Sequence, residues 1–209
     1  RSTLFPYTTL FRSERCEPDG ARRWLLIIYR IKAESSSRRT YVWRRLRQLG
    51  AVYLQQAAAV LPDRPELRVE LERLGQRIRN TGGEASVLET VSPSAAWEED
   101  LVSRFNAARD AEYEEILDSV DSFEDEIRRE TGKGRFRFAE LEEGEADWDK
   151  LQRWFARLIQ RDFFGASGRA GAEDALARGR ALLDEFTEEV YRAEGLDRKS
   201  TRLNSSHER

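Results

Sequence analysis

The stretch WLLIIYRI, Trp24–Ile31, constrains the fold more than any other. In Trp24–Tyr29 both alternating sets of side chains are apolar: Leu25, Ile27 and Tyr29 on one face, Trp24, Leu26 and Ile28 on the other. Successive side chains of a strand point to opposite faces, so this segment predicts a strand buried on both sides. Any fold for this chain must therefore cover two faces of one sheet.

The residues that follow supply helices for one face. RRTYVWRRLRQLG places Val42, Leu46 and Leu49 at i, i+4 and i+7 and stops at Gly50, which predicts a helix with serine caps in the preceding AESSSRR. AVYLQ and AAAVLP read as two short strands around Gln55 and Gln56. DRPELRVELERLGQRIRNTGG reads as a second helix, with Pro65 in its first turn, Leu67, Leu71, Leu74 and Ile78 on one stripe, and a stop at Gly82 and Gly83. EASVLETVS closes the set as a strand. The order β-α-β-β-α-β predicts a ferredoxin-like domain, with both helices on one face of a four-stranded antiparallel sheet. The second face then needs a cover, either the rest of the chain or a second copy in a homodimer.

From Trp97 to about Glu130 no glycine or proline interrupts an apolar three-four spacing that runs through Leu101, Phe105, Tyr113, Ile116, Val120, Phe123 and Ile127. This predicts a long helix, ended by TGKGRFRF. A second helix carries Trp148, Leu151, Phe155 and Leu158 and ends near Gly165. A third follows GASGRAG with Leu176, Leu183, Phe186 and Val190. The overall expectation is an α+β chain, with residues 14–92 forming the ferredoxin-like domain and 93–196 an antiparallel helical bundle or hairpin.

Charge divides along the same line. Residues 14–92 hold 15 basic against 10 acidic side chains, a net of +5, and residues 93–196 hold 15 against 27, a net of −12. The basic half concentrates Arg38, Arg39, Arg44, Arg45 and Arg47 on the first predicted helix, with no acidic residue between Arg38 and Asp63. At 100° per residue Arg44 and Arg47 point away from the apolar stripe, Arg45 sits at its edge, and Arg38 and Arg39 occupy the first turn. No carboxylate follows within a helical turn to neutralise them, so these five arginines are the candidate DNA-binding residues, weighed against an ordinary solvated face. In the acidic half Arg153, Arg157 and Arg161 recur at i, i+4 and i+8. They are a candidate oxyanion ladder, weighed against simple pairing with acids such as Asp149.

Other residue types narrow the chemistry. Cys16 is the single cysteine and His207 the single histidine, so neither a disulfide framework nor a histidine-based catalytic or zinc site is expected. No paired-carboxylate motif stands out either. The chain reads as a non-enzyme needing no cofactor or metal. With no long apolar run it also reads as a soluble, cytoplasmic protein that does not enter a membrane. The terminal strings Arg1–Ser13 and Asp197–Arg209 carry no helix or strand logic. Their TLFPYTTLFRS and DRKSTRLNSSH are similar to in-frame readings of paired sequencing adapters, so both ends are set aside from fold reasoning.

Four stretches carry a resemblance to a known family: WLLIIYRI, RRTYVWRRLRQLGAVYLQQAAAVLP, FNAARDAEYEEIL and LQRWFARLIQRDFFGA. In this order they resemble the N-terminal region of ChrB-type chromate-resistance proteins. The resemblance implies a bacterial, chromate-responsive transcriptional regulator encoded with a chromate efflux transporter, with DNA as partner and chromate as effector. Family members often carry a further C-terminal domain. An accessory or oxyanion-binding adaptor in chromate resistance is the alternative. RRLRQLGAVYLQQAAAVLP has a fainter likeness to PaaX-type and CRISPR-associated ferredoxin-like modules. Nucleases of that kind place an acid just after the first strand, where this chain has Arg30 and Lys32 and only Glu34 nearby, a poor magnesium site.

Overall fold

The computed structural model describes residues 22–32 and 36–195. The expectations about both terminal strings, Cys16, Glu34 and His207 lie outside those residues. The described elements are β1 (Arg23–Arg30), α1 (Ser36–Gln48), β2 (Val52–Gln55), β3 (Ala58–Pro62), α2 (Pro65–Asn80), β4 (Glu84–Val91), α3 (Ala95–Gly132), α4 (Phe138–Ile159) and α5 (Gly168–Ala193). The chain is α+β, with five helices and four strands that form one antiparallel sheet in the order β2-β3-β1-β4.

The two apolar faces of β1 find different partners. On the front, Leu25 and Ile27 are fully buried with Leu61 of β3 beneath Val42 and Leu46 of α1 and Leu71, Leu74 and Ile78 of α2. On the back, Trp24 packs with Val60 and Val52 against Leu101 and Phe105 of α3. Trp24 stacks on Phe105 with ring centroids 5.8 Å apart, and its indole N–H donates to the Ser92 hydroxyl at 2.8 Å. The acidic half thus supplies the second cover, but only over the Trp24 end. Ile28 and Leu88, at the other end of that face, stay 45% and 47% exposed.

The three long helices enclose a core of their own. Gly168 approaches Tyr113, Gly179 approaches both Val120 and Trp148, and Gly144 approaches both Ile127 and Leu183. These contacts make α4 run antiparallel to α3 and α5, which are parallel to each other. A Cβ on Gly179 would sit 2.8 Å from the Trp148 ring, so glycine is what lets α5 meet α4 this closely.

The helix ends differ from expectation around residue 160. α4 stops at Ile159 instead of near Gly165, and α5 starts inside GASGRAG at Gly168. The cause is local. The Asp162 carboxylate accepts from the Gly165 and Ala166 N–H groups at 3.0 and 2.9 Å, a turn that competes with helix. It frees Phe163 and Phe164 to leave the bundle and join the back of the sheet, 6.0 and 5.3 Å from the Phe105 ring.

A clamp ties the start of α3 to the sheet. Ser94 caps α3 by accepting from the Trp97 N–H, and Glu98 accepts from the Ser92 hydroxyl at 2.6 Å and from the Arg22 N–H at 3.2 Å. The Ser92 hydrogen bond, aided by Arg22, holds the Glu98 carboxyl below its ordinary range. A carboxyl lowered in the folded state contributes stability above its unfolded value and loses it as pH falls through that range. Wild type should therefore lose more stability than Glu98→Gln between about pH 6 and 3.5, read by thermal melts followed through Trp emission. Equal losses in both proteins would refute the clamp.

Candidate nucleic-acid interface

α1 has no acidic side chain of its own, so any counter-charge for its arginines must come from elsewhere in the chain. One counter-charge is present. Glu70 of α2 forms an ion pair with Arg45 and accepts from Arg73 at 2.8 Å; these contacts, Arg45 first, hold its carboxyl below the ordinary range. Sequence spacing along α1 cannot show this partner, because it lies across the seam between two helices. Arg38 donates to the Thr81 carbonyl at the end of α2 at 2.5 Å, and Arg39 donates to the Lys32 carbonyl at 3.3 Å. The backbone acceptor of Arg38 leaves its guanidinium charge in place.

Arg44 and Arg47 stand exposed on the outer side of α1, as the helical wheel predicts. Two aromatics that the wheel did not single out accompany them. Trp43 and Tyr41 are 46% and 41% exposed. The Arg47 guanidinium lies 5.5 Å from the Trp43 ring centre, and Arg77 of α2 lies 4.4 Å from that of Tyr41. Between α1 and α2 runs an open groove of about 930 Å³ lined by Tyr41, Arg45, Glu70, Arg73, Arg77 and Asn80. Exposed arginines beside exposed aromatics suit phosphate contacts and base stacking, as in nucleic-acid contacts.

The arginine ladder of α4 is not assembled on one surface. Arg153 pairs with Asp149 at 3.6 Å on the outside, and Arg157 is exposed. Arg161 lies beyond the end of α4 and turns inward. It pairs with Glu112 of α3 at 2.8 Å and donates to the Arg47 carbonyl, at the end of α1, at 3.1 Å. Glu112 also pairs with Arg109 at 2.6 Å, and both of those side chains are more than nine-tenths buried. The Nε and Nη1 groups of Arg109 have no hydrogen-bond partner among the described residues, and burial lowers the pKa of its guanidinium. Gly50, at φ +81°, lets this cluster approach: a Cβ there would lie 3.0 Å from Arg109 Nη1. Tyr113 closes the cluster by donating to Asp162 at 3.1 Å, its phenol pushed upward by burial and by that carboxylate. Sequence reading missed this joint, since Arg109 and Glu112 look like ordinary surface charges of a long helix.

A second concavity, about 440 Å³, lies between α3 and α4 over Phe123, Ile127 and Leu151. Its rim carries Glu126, Glu140, Glu143 and Asp147, which repel anions. The basic face is therefore the better place for a negatively charged partner.

That basic face opens a segment shared with a known family. The family model described as "Protein ChrB, N-terminal" matches residues 39–196, from the first turns of α1 to the end of α5. The chain belongs to this family. Membership associates it with chromate resistance. No curated protein matches the chain. In this ChrB-type N-terminal region, the match spans both the arginine face of α1 and the buried joint beneath it. Among the described residues, no helix is long and apolar enough to cross a membrane.

Proposed function

We propose that this chain is the DNA-contacting part of a cytoplasmic, chromate-responsive transcriptional regulator of a chromate efflux operon. The single observation carrying the reading is the face of α1. Arg44 and Arg47 stand exposed on it, and the Arg47 guanidinium lies beside the exposed Trp43 ring. The ferredoxin-like reading of the sheet draws support from its β-α-β-β-α-β order, its strand arrangement and the two helices on one face. On this reading the protein is not an enzyme and needs no cofactor. The oxyanion-binding alternative has weaker support, because Arg161 is committed to Glu112 and Arg153 to Asp149.

Phosphate contacts release counterions, so affinity for duplex DNA should fall steeply as salt rises. The double variant Arg44→Ala/Arg47→Ala should bind a duplex of about 30 base pairs roughly tenfold more weakly, with a salt slope shallower by about 2. Its stability should stay within about 0.5 kcal/mol of wild type, since both side chains are exposed. Fluorescence anisotropy at several salt concentrations measures both quantities. Affinity indifferent to salt, or to the double substitution, would remove the DNA reading.

A further inference from the structure

The sheet has two outer edges, and the chain treats them differently. β2 is four residues long, its ladder with β3 shifts between Tyr53 and Gln55, and Arg104 donates to the Tyr53 carbonyl at 2.6 Å. Short length, a bulge and a side chain on the edge all discourage a further strand from adding. β4 has none of the first two. It runs eight residues, pairs with β1 along its whole length without a shift, and contains no proline or lysine.

The orientation of its backbone follows from the register. The Tyr29 N–H donates to the Ala57 carbonyl, so the odd-numbered residues of β1 face β3 and the even-numbered ones face β4. The outer edge of β4 therefore presents the N–H and C=O groups of Ala85, Val87, Glu89 and Val91. Arg79 occupies the Ala85 carbonyl at 2.8 Å, and the Thr90 hydroxyl meets the Val91 carbonyl at 3.4 Å. Among the described residues, nothing pairs with the outer backbone groups of Val87 and Glu89. Beside them, on the back face, lie the exposed Leu88 and Ile28. The charges along the strand are already neutralised, Glu84 by Arg30 and Glu89 by Arg68, so a second copy would meet no net repulsion there.

We propose that β4 is a dimerisation strand that pairs antiparallel with β4 of a second copy about a two-fold axis at Leu88. Residues opposite one another across an antiparallel pair share a face, so the axis must pass through a residue or its same-face equivalents. An axis at Glu89 would set two carboxylates against each other, and one at Val87 would set Leu88 against serine. At Leu88, the leucine meets its own mate, flanked by Ile28 of both copies, while Val87 exchanges hydrogen bonds with the partner's Glu89. Ala85 stays with Arg79. The two-fold axis stands perpendicular to the sheet, so both α1–α2 layers fall on the same side of one eight-stranded sheet. α2 covers β1 and β4, which leaves α1 toward the far strands. At about 4.8 Å per strand, the two α1 helices then stand roughly 30 Å apart, close to one turn of duplex at about 34 Å. This last match rests on the proposed function; the dimer itself does not.

Sedimentation equilibrium on the full chain at about 10–100 µM should show a dimer. Leu88→Lys and Glu89→Pro should each weaken it at least about tenfold, with unchanged circular dichroism, because the Glu89 N–H makes no bond to β1 and proline is tolerated at such edge positions. A paired leucine position implies Cα atoms about 4.5 Å apart, within disulfide reach. The full chain carrying Cys16→Ser and Leu88→Cys should therefore oxidise to a covalent dimer, and the one carrying Cys16→Ser and Ser86→Cys should not. If Leu88→Lys fails to fold, Glu89→Pro and the cysteine pair decide. A monomer at about 100 µM, a dimer that neither edge substitution weakens, or equal cross-linking from both cysteine positions overturns the proposal. A monomer with protected Val87 and Glu89 amides would assign the edge to another segment, and overturns it too. An unmodified dimer that binds no duplex DNA would count against the DNA reading alone.

Discussion

Replacing Glu112 by Ala should cost about 3–5 kcal/mol of folding stability, because it strands buried positive charge. Glu112 is the shared carboxylate of Arg109 and Arg161, at 2.6 and 2.8 Å, and its own side chain is 8% exposed. Among the described residues Arg109 forms no second ion pair, Asp162 acting on it only at longer range, and two of its nitrogens have no hydrogen-bond partner. Arg161 would keep its bonds to the Arg47 and Arg157 carbonyls but lose its counter-charge. The effect should reach the basic face, since the Arg161–Arg47 contact ties the bundle to the end of α1. A matched control is Arg153→Ala, whose exposed pair with Asp149 at 3.6 Å should be worth at most about 1 kcal/mol. Urea unfolding of both variants makes the comparison. A Glu112→Ala loss no larger than the control would show that the cluster is solvated and contributes little.

Trp24→Ala should be comparably severe, about 3–5 kcal/mol. Trp24 is fully buried, and its removal would empty the seam between the sheet and α3. The ring stacks on Phe105, meets Trp97 edge-on at 6.3 Å and touches Phe164 at 5.9 Å, while its N–H anchors the Ser92–Glu98 clamp. One substitution thus removes apolar burial and leaves the Ser92 hydroxyl without its donor. Trp43→Ala provides the contrast: that ring is 46% exposed, so folding should change by no more than about 0.5 kcal/mol while DNA affinity falls. Calorimetric unfolding of the two variants separates the core tryptophan from the surface one. Near-equal melting temperatures would mean that the seam repacks around the lost ring.

The elements themselves were readable because hydrophobic period is a property of local backbone geometry. Val42, Leu46 and Leu49 mark α1; Leu67, Leu71, Leu74 and Ile78 mark α2; and the doubly apolar β1 announced that both faces of the sheet would need cover. The exposed direction of Arg44 and Arg47 was equally readable, since the helical wheel alone sets it. The arrangement around residue 160 was not. Arg161 continues the spacing of Arg153 and Arg157 on paper, yet Asp162 diverts the chain, and the guanidinium that a longer helix would show to solvent turns toward Glu112. The counter-charge of Arg45 was hidden for the same reason, because Glu70 lies 25 residues away on another helix.

By itself, then, the order of residues determined which segments coil, which extend, where charge accumulates and that β1 needs two covers. Only the tertiary structure decided which arginines keep their charge facing water and which are spent on Glu70 and Glu112, and that α3 with Phe164 seals one end of the back face while Leu88 is left bare. The physical reason is range. Period and propensity act over one or two turns of backbone, whereas ion pairs and apolar contacts depend on which distant surfaces the folded chain brings within a few ångströms.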